Sequence, residues 1–473
     1  MSGQVGRPAD IWGSRFGAVV QHIRMCRLSK RFWATIREHY LDCRIELRVT
    51  AIRSSRCAER TSEQRMQEFD VIIAGGGPGG LAVAETVAKA GASVLLLEQN
   101  KEIGSPTRTT GGSFVQDMKD LGIPEAFYHP IKRCRYISPH NCVKFEYAEP
   151  VTCVLDVRGM FQFMAERAIE AGAWISVGST ATEPVVTNGV VTGVKVKTPT
   201  AEDAEFHSKV LIDATGYRSL MIKQADVSSG TKRFGVGSEY DFYAPNYDQD
   251  EAVLIVGSQI APSGYAWAFP WGRKRVRVGV GILHTDSDAH PDRYLDILVA
   301  RSAEFGIDLK GAQPIEYHFG LVPSDGVLDS FVGDGIMAVG DAAGQPSPLV
   351  GEGIRWAIKA GRMAGAVAAD AVKANDFSKS FLGRYQRRWN TKFGKNLRIA
   401  YEINRKIAQW DDAKWDRKTE LLKLFTPYQF GQALQANFMA GWAFQLLWSH
   451  PTLLKEGFKE IADRLGLSAL SNS

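Results

Sequence analysis

The chain has 473 residues, 45% hydrophobic and 23% charged, the make-up of a globular protein with more chain than one ordinary domain uses. Its net charge of +5 comes from one end: residues 1–67 carry thirteen Lys and Arg against six Asp and Glu (+7), leaving 44 basic and 46 acidic residues (−2) for the rest, which speaks against a nucleic-acid partner. Six cysteines, without a C-x-x-C pair and none beyond Cys153, support neither a disulfide scaffold nor a zinc or iron–sulfur metal site and fit a reducing, cytoplasmic setting, while no apolar run reaches bilayer length.

Residues 1–67 set Arg15, Arg24, Arg27, Lys30, Arg31 and Arg37 among Val19, Ile23, Phe32, Trp33 and Ile36. An amphipathic basic helix touching anionic lipid, a targeting segment, a poorly ordered extension and upstream sequence ahead of Met66 all remain open. None of these guides a functional reading.

The next stretch, Phe69 to Glu98, reads as strand, glycine turn, helix, strand. Phe69–Ala74 is a short apolar run rich in β-branched residues, expected of a parallel strand buried on both faces. Gly75, Gly77 and Gly80 fall on G-x-G-x-x-G spacing, with Gly79 between: the first glycine permits the tight turn, the second lets backbone approach a pyrophosphate, and the third lets helix pack on strand. Pro78 suits a first helical turn. Ser93–Leu97 forms the second strand, and Glu98, eighteen residues after Gly80, is placed to bind both hydroxyls of an adenosine ribose. The motif fits NAD and FAD equally, because both carry ADP.

The loop 101–113 is dense in glycine and hydroxyls, and its place after a strand's carboxyl end puts Thr110, Gly111 and Gly112 toward the reactive ring of such a cofactor. Short strand-like runs from Ile131 to Val154 suggest that the chain leaves the first sheet. Asp156 then opens a helix in which Arg158 is poorly placed for the helix dipole, implying an anionic or carbonyl partner outside the helix. Val185–Val196 reads as a hairpin turning at Asn188-Gly189, and Val210–Gly216 as a buried strand returning to the nucleotide sheet.

From Phe234 to Leu283 the pattern alternates as in antiparallel strands. Tyr265, Trp267 and Phe269, ahead of Pro270, share one face of a strand that pairs across Trp271–Lys274 with Arg275–Val280. Three rings on one face are core or the wall of an apolar site, and the small residues between them suit a wall beside an elongated guest. Ile336–Gly344 is a last parallel strand, whose Asp341 can accept hydrogen bonds from a polyol. The helix after Gly351-Glu352-Gly353-Ile354 offers its amino terminus to the negative charge of a reduced flavin. The tail from Phe381 is helical and aromatic, with Trp389, Trp410, Trp415, Trp442 and Trp448. Packing on the body explains it, with docking at a bilayer interface as the sharper alternative.

Taken together, the Gly75–Glu98 unit, Asp213-Ala214-Thr215-Gly216 and Gly340-Asp341-Ala342-Ala343-Gly344 resemble the glutathione-reductase-type FAD fold of the p-hydroxybenzoate-hydroxylase group. Tyr265-Ala266-Trp267-Ala268-Phe269-Pro270 resembles the substrate-wall motif of the geranylgeranyl reductases within that group. The resemblance spans about residues 68–400. It implies an α/β architecture: an FAD-binding Rossmann domain (68–130, 156–232, 331–380), an inserted antiparallel substrate domain (131–155, 233–330), a helical C-terminal region (381–473) and the extension 1–67. It further implies that Gly75, Gly77, Gly79 and Gly80 hold the pyrophosphate of FAD and Glu98 its ribose, that Thr110, Gly111 and Gly112 line the isoalloxazine, that Arg158 and Ala181 flank the nucleotide, that Asp341 binds the ribityl chain, and that Gly353 and Ile354 meet the ring edge. Tyr265, Trp267, Phe269 and Pro270 would bound the substrate. Several archaeal members have cysteine where this chain has Gly111.

The resemblance implies reduction of isolated C=C bonds in an isoprenoid lipid or prenyl diphosphate by hydride from reduced FAD, at the inner face of a membrane. The electron donor, NAD(P)H or ferredoxin, and the proton donor are not legible. An FAD monooxygenase or halogenase of the same fold is the first alternative. An electron-transfer flavoprotein is disfavoured because no cysteine follows Cys153, and a non-catalytic flavin sensor would not require the aromatic wall.

Overall fold

The computed structural model describes residues 68–198, 204–438 and 441, so the basic extension, Cys26, Cys43, Cys57, Trp442 and Trp448 lie outside the described residues. Strand β1 (Glu68–Ala74), helix α1 (Pro78–Lys89) and β2 (Val94–Glu98) form the nucleotide-type unit expected from the glycine spacing. Val71 to Ala74 are fully buried because helices and further core cover both faces of the sheet. β1 lies between β2 and β11 (Ala204–Asp213), parallel to both. β8 (Trp174–Val177) extends the sheet beyond β2, and the short β18 (Ile336–Ala338) extends it beyond β11, again in parallel, with β17 (Val332–Gly333) antiparallel at its outer edge.

Between these strands the chain makes two excursions. The first builds β3 (Gly112–Phe114), β4 (Tyr128–Ile131) and β7 (Thr152–Leu155) into a small antiparallel sheet and contributes β5 (Arg133–Ile137) and β6 (Cys142–Glu146) to a larger one. Helix α2 (Val157–Glu170) then returns to the first sheet; the Asp156 carboxylate accepts from the Gly159 amide at 3.0 Å and so caps it. The hairpin β9 (Thr180–Thr187) and β10 (Val190–Lys197) turns at Asn188 and Gly189, both at positive φ, the geometry of a two-residue turn matched to strand twist.

The second excursion completes the larger sheet with β12 (Phe234–Tyr243), β13 (Glu251–Gly257), β14 (Ala261–Gly272), β15 (Arg275–Leu283) and β16 (Gln313–Pro323), in the order β16-β12-β15-β14-β13-β5-β6. Its pairs are antiparallel except β13 with β5, which run parallel. The β14–β15 turn is tighter than the sequence suggests: Arg273 and Lys274 alone form it, both at positive φ, and Gly272 still pairs with Arg275. One face of this sheet packs Ala266, Ala268, Val278 and Val280 on α3 (Pro291–Ala300), which supplies Leu295 and Leu298. The other face, carrying Tyr265, Trp267 and Phe269, turns toward the nucleotide-type unit.

Helix α4 (Ile354–Ala374) begins beside the strand ends and packs closely on α1: a Cβ at Gly361 would lie 2.3 Å from the Gly79 carbonyl oxygen. The tail helices α5 (Lys379–Trp389), α6 (Lys395–Ile407), α7 (Asp412–Leu422) and α8 (Pro427–Leu434) follow, with Trp389 and Tyr385 fully buried in the main core.

Candidate active site

The carboxyl ends of β1, β2, β11 and β18 and the aromatic face of the larger sheet enclose one cavity of about 1450 Å³. Its nucleotide end is shaped by the glycine turn. A Cβ at Gly80 would sit 2.1 Å from the Gly75 carbonyl oxygen, so the helix starts flush on the turn, whereas nothing lies within 4 Å of a Cβ at Gly77. The start of α1, with no side-chain cap on Gly77, thus presents bare amides to an open cradle of the kind a pyrophosphate fills. Glu98, largely buried, accepts from the Gly76 amide at 2.8 Å and from the Asn100 amide and side chain at 2.8 and 2.6 Å, which fixes its carboxylate beside that cradle. Ala181 lies on the same wall.

Further along, Asp341 faces the cavity with a carboxylate that accepts no hydrogen bond among the described residues, and burial pushes its carboxyl up to about 6. An acceptor so placed suits the hydroxyls of a polyol. Gly353 and Ile354, at the start of α4, line the cavity nearby, with a Cβ at Gly353 falling 3.3 Å from Asp341 Oδ1. These residues fit FAD: an anion cradle, an acidic residue at the second strand, an unpartnered carboxylate and a helix amino terminus follow one another along a single cavity.

The loop before β3 brings Thr110, Gly111 and Gly112 to the middle of the cavity. Arg277 holds it from below, donating from Nη1 to the carbonyls of Thr110 at 2.5 Å and Leu155 at 3.0 Å while pairing through Nε with Asp241 at 3.2 Å. Gly111 has φ +76°, and a Cβ there would meet Val157 Cγ2 at 2.7 Å, so this loop is built around glycine and has no room for the cysteine of some archaeal members. A Cβ at Gly112 would touch Phe269 at 3.4 Å, which sets the loop directly against the aromatic wall.

That wall is Tyr265, Trp267 and Phe269, with ring centroids 5.5 and 6.4 Å apart in sequence. Tyr265 donates to the Val350 carbonyl at 2.6 Å, tying the wall to the loop that precedes α4. Trp267 lies flat across a floor of glycines: a Cβ at Gly279 would meet its indole at 2.4 and 2.5 Å, and one at Gly281 at 3.3 Å. Its Nε1 donates to Glu239 at 2.9 Å. Beyond the wall the cavity is bounded by Ile403, Ile407, Trp410, Leu422, Phe425 and Leu434 of the tail helices and their connections.

Two residues named from the sequence stand outside the cavity lining. Arg158 does have an anionic partner beyond its helix, but that partner is Glu102, met by its Nε at 2.7 Å, and its side chain is 58% exposed. Pro270 is buried opposite Val276, because strand alternation puts it on the face away from Phe269.

Sequence reasoning missed a buried polar group on the cavity face. In one row across the larger sheet, His318 of β16 pairs with Glu239 of β12, Glu239 with Gly279 of β15, and Gly279 with Trp267 of β14. Glu239 accepts from Thr110 Oγ at 2.6 Å, from Trp267, and from His318 Nδ1 at 2.7 Å; His318 Nε2 faces Glu316 at 2.9 Å. The available signal was the alternation Gly235, Gly237, Glu239, an acidic side chain on the glycine face of a strand.

Fold and cavity define a class, that of FAD-dependent oxidoreductases whose nucleotide domain and β-sheet substrate domain share one active-site cavity. The model of FAD-dependent oxidoreductases matches residues 70–242, and that of the geranylgeranyl reductase catalytic domain matches residues 235–322. A digeranylgeranylglycerophospholipid reductase of Methanopyrus kandleri is 32% identical over 365 residues, covering 75% of this chain and 90% of that protein. The crystal structure of a geranylgeranyl bacteriochlorophyll reductase-like protein of Thermoplasma acidophilum superposes with a TM-score of 0.71 at 28% identity, covering 76% of this chain and 92% of the other. The chain belongs to the geranylgeranyl reductase family, binds FAD and acts as a reductase on isoprenoid chains. A flavin-dependent brominase also superposes, at TM-score 0.60 and 21% identity over 84% of this chain and 100% of its own, a likeness of fold alone.

Proposed function

We propose that this protein saturates isolated double bonds in geranylgeranyl chains borne on a glycerophospholipid, working from the side of a membrane. The observation that carries the reading is the meeting of the Thr110–Gly112 loop with the Tyr265–Phe269 wall in a cavity that continues between apolar tail helices. An isolated alkene is not polarised, so its reduction depends on alignment and dryness. Bound and reduced, FAD supplies the hydride. The chain's own part is to hold the alkene: Gly112 and Phe269 set the width of the slot, Trp267 gives it a flat side, and the apolar tail side chains exclude water from the rest of the chain. Among the described residues no helix is long and apolar enough to cross a membrane, and the lipid is taken up through its chains.

The test is anaerobic. Purified protein carrying FAD is reduced chemically and mixed with a geranylgeranyl phospholipid, while flavin absorbance and lipid mass are followed. The expected result is lipid-dependent return of the oxidised spectrum, with two hydrogens gained per double bond. Reoxidation that needs oxygen and yields a hydroxylated or halogenated product would move the protein to the monooxygenase branch.

A further inference from the structure

Adding hydrogen across a C=C bond forms two C–H bonds, and reduced FAD accounts for one hydride with its electron pair. The second C–H bond needs a proton, inside a cavity built to exclude water. We propose that Glu316, His318, Glu239 and Thr110 form a proton line from the exposed edge of the larger sheet into the cavity, and that Thr110 Oγ hands the proton to the substrate carbon. The proposal rests on the alkene-reduction reading above.

Continuity is the first argument. Glu316 is 52% exposed, His318 and Glu239 are 4% and 3% exposed, and the steps between them are 2.9, 2.7 and 2.6 Å with no gap. Thr110, Glu239 and His318 all border the cavity. The second argument is proton count. Both ring nitrogens of His318 face carboxylate oxygens, which accept only, so the group is complete when the imidazole carries two protons. Burial opposes that charge, but the bonds and charges of Glu239 and Glu316 outweigh it and hold His318 above its ordinary range. Arg277 opposes the proton from β15; Asp241 pairs with both Arg277 and Arg275, and Arg275 also reaches Glu316 at 3.7 Å.

In the transfer, the His318 Nδ1–H bond breaks as a Glu239 O–H bond forms. That proton arrives on Oε1, which faces His318; a half-turn of the carboxyl group brings the protonated oxygen to Thr110 Oγ, where the Glu239 O–H bond breaks as a new Thr110 O–H bond forms and the original Thr110 O–H bond breaks as the new C–H bond forms. A half-turn of the neutral imidazole then brings its protonated Nε2 to Glu239 and its bare Nδ1 to Glu316, through which it takes a proton from bulk water. Trp267 Nε1 donates to the Glu239 oxygen on the Thr110 side.

The experiment uses the FAD-loaded full chain. Nitrogen-15 NMR of histidine-labelled protein gives the His318 titration, and rapid mixing of pre-reduced protein with geranylgeranyl phospholipid gives the rate of lipid-dependent reoxidation against pH. His318 is expected to titrate above about 6.5, with the rate falling at the same pH. Glu316→Gln, at an exposed site that does not threaten folding, should lower both midpoints together. In protein saturated with FAD, Thr110→Val should slow the lipid step about a hundredfold, and Thr110→Ser should restore the rate. A His318 midpoint at or below its ordinary value, a rate profile that stays put when Glu316→Gln moves His318, or a wild-type rate in Thr110→Val would each overturn the line. Wild-type protein that fails to reoxidise with lipid would instead remove the alkene-reduction reading on which the line stands.

Discussion

Asp341 shows how one carboxylate can report on the cofactor. Its oxygens have no donor among the described residues, and burial raises its carboxyl from 3.8 to about 6. A folded-state value above the unfolded one means that the cofactor-free protein binds an extra proton between those two values, so its stability increases as pH falls through that window and is lowest above it. Cofactor hydroxyls that donate to Asp341 would favour the ionised form and reverse the preference. FAD affinity is therefore expected to hold steady above pH 6 and to weaken as the pH falls below it. Asp341→Asn should cost about tenfold in affinity at neutral pH, one charge-assisted hydrogen bond, flatten the pH dependence and raise the melting temperature of the FAD-free protein. Fluorescence titration of FAD at several pH values checks the first two, and thermal melts check the third.

At the scale of an element, the cavity face of the larger sheet is planed by glycine so that one indole can lie across it. Gly237, Gly279 and Gly281 occupy the same face of β12 and β15, and Trp267 rests on them with Nε1 aimed at Glu239. A methyl group at Gly279 would press on the indole and on Glu239 Cβ at once, the latter at 2.6 Å. Gly279→Ala should therefore destabilise the protein by about 1–3 kcal/mol, the ordinary cost of overpacking, and lift Trp267 out of the slot. The expected signature is a lowered melting temperature and a raised KM for lipid, with FAD affinity nearly unchanged because the glycine turn lies at the other end of the cavity. Equal losses of lipid and cofactor binding would mean that the sheet is a general scaffold with no separate role as a wall.

For the molecule as a whole, the cavity is walled by segments far apart in the chain: the turn after β1, the loop before β3, the strand ends of β9, β11 and β18, the start of α4 and the tail helices. A ligand that spans the glycine turn, the strand ends, the start of α4 and the loop before β3 binds only the folded assembly, so FAD should stabilise the chain by mass action. At a hundredfold excess over its dissociation constant the gain is about 2.7 kcal/mol. Scanning calorimetry should show one transition moving upward as FAD is added; a fixed lower transition beside a shifting upper one would mean that the sheet domain melts independently of the cofactor.

What the sequence determined by itself was whatever is encoded over short distances. The glycine turn, Glu98 at the end of β2, the Asn188-Gly189 hairpin and the aromatic face of β14 are legible because each depends on residues within one element or one βαβ unit, where periodicity and turn chemistry act locally. The rest was decided by tertiary structure. Arg158 went to Glu102, a partner 56 residues away, and Pro270 went to the covered face. Glu239 and His318, 79 residues apart and unremarkable in their own strands, became one hydrogen-bonded group only when β16 came to lie beside β12. Strand register sets such meetings, and register follows from the packing of both faces of a sheet against the whole molecule, which no local stretch of sequence contains.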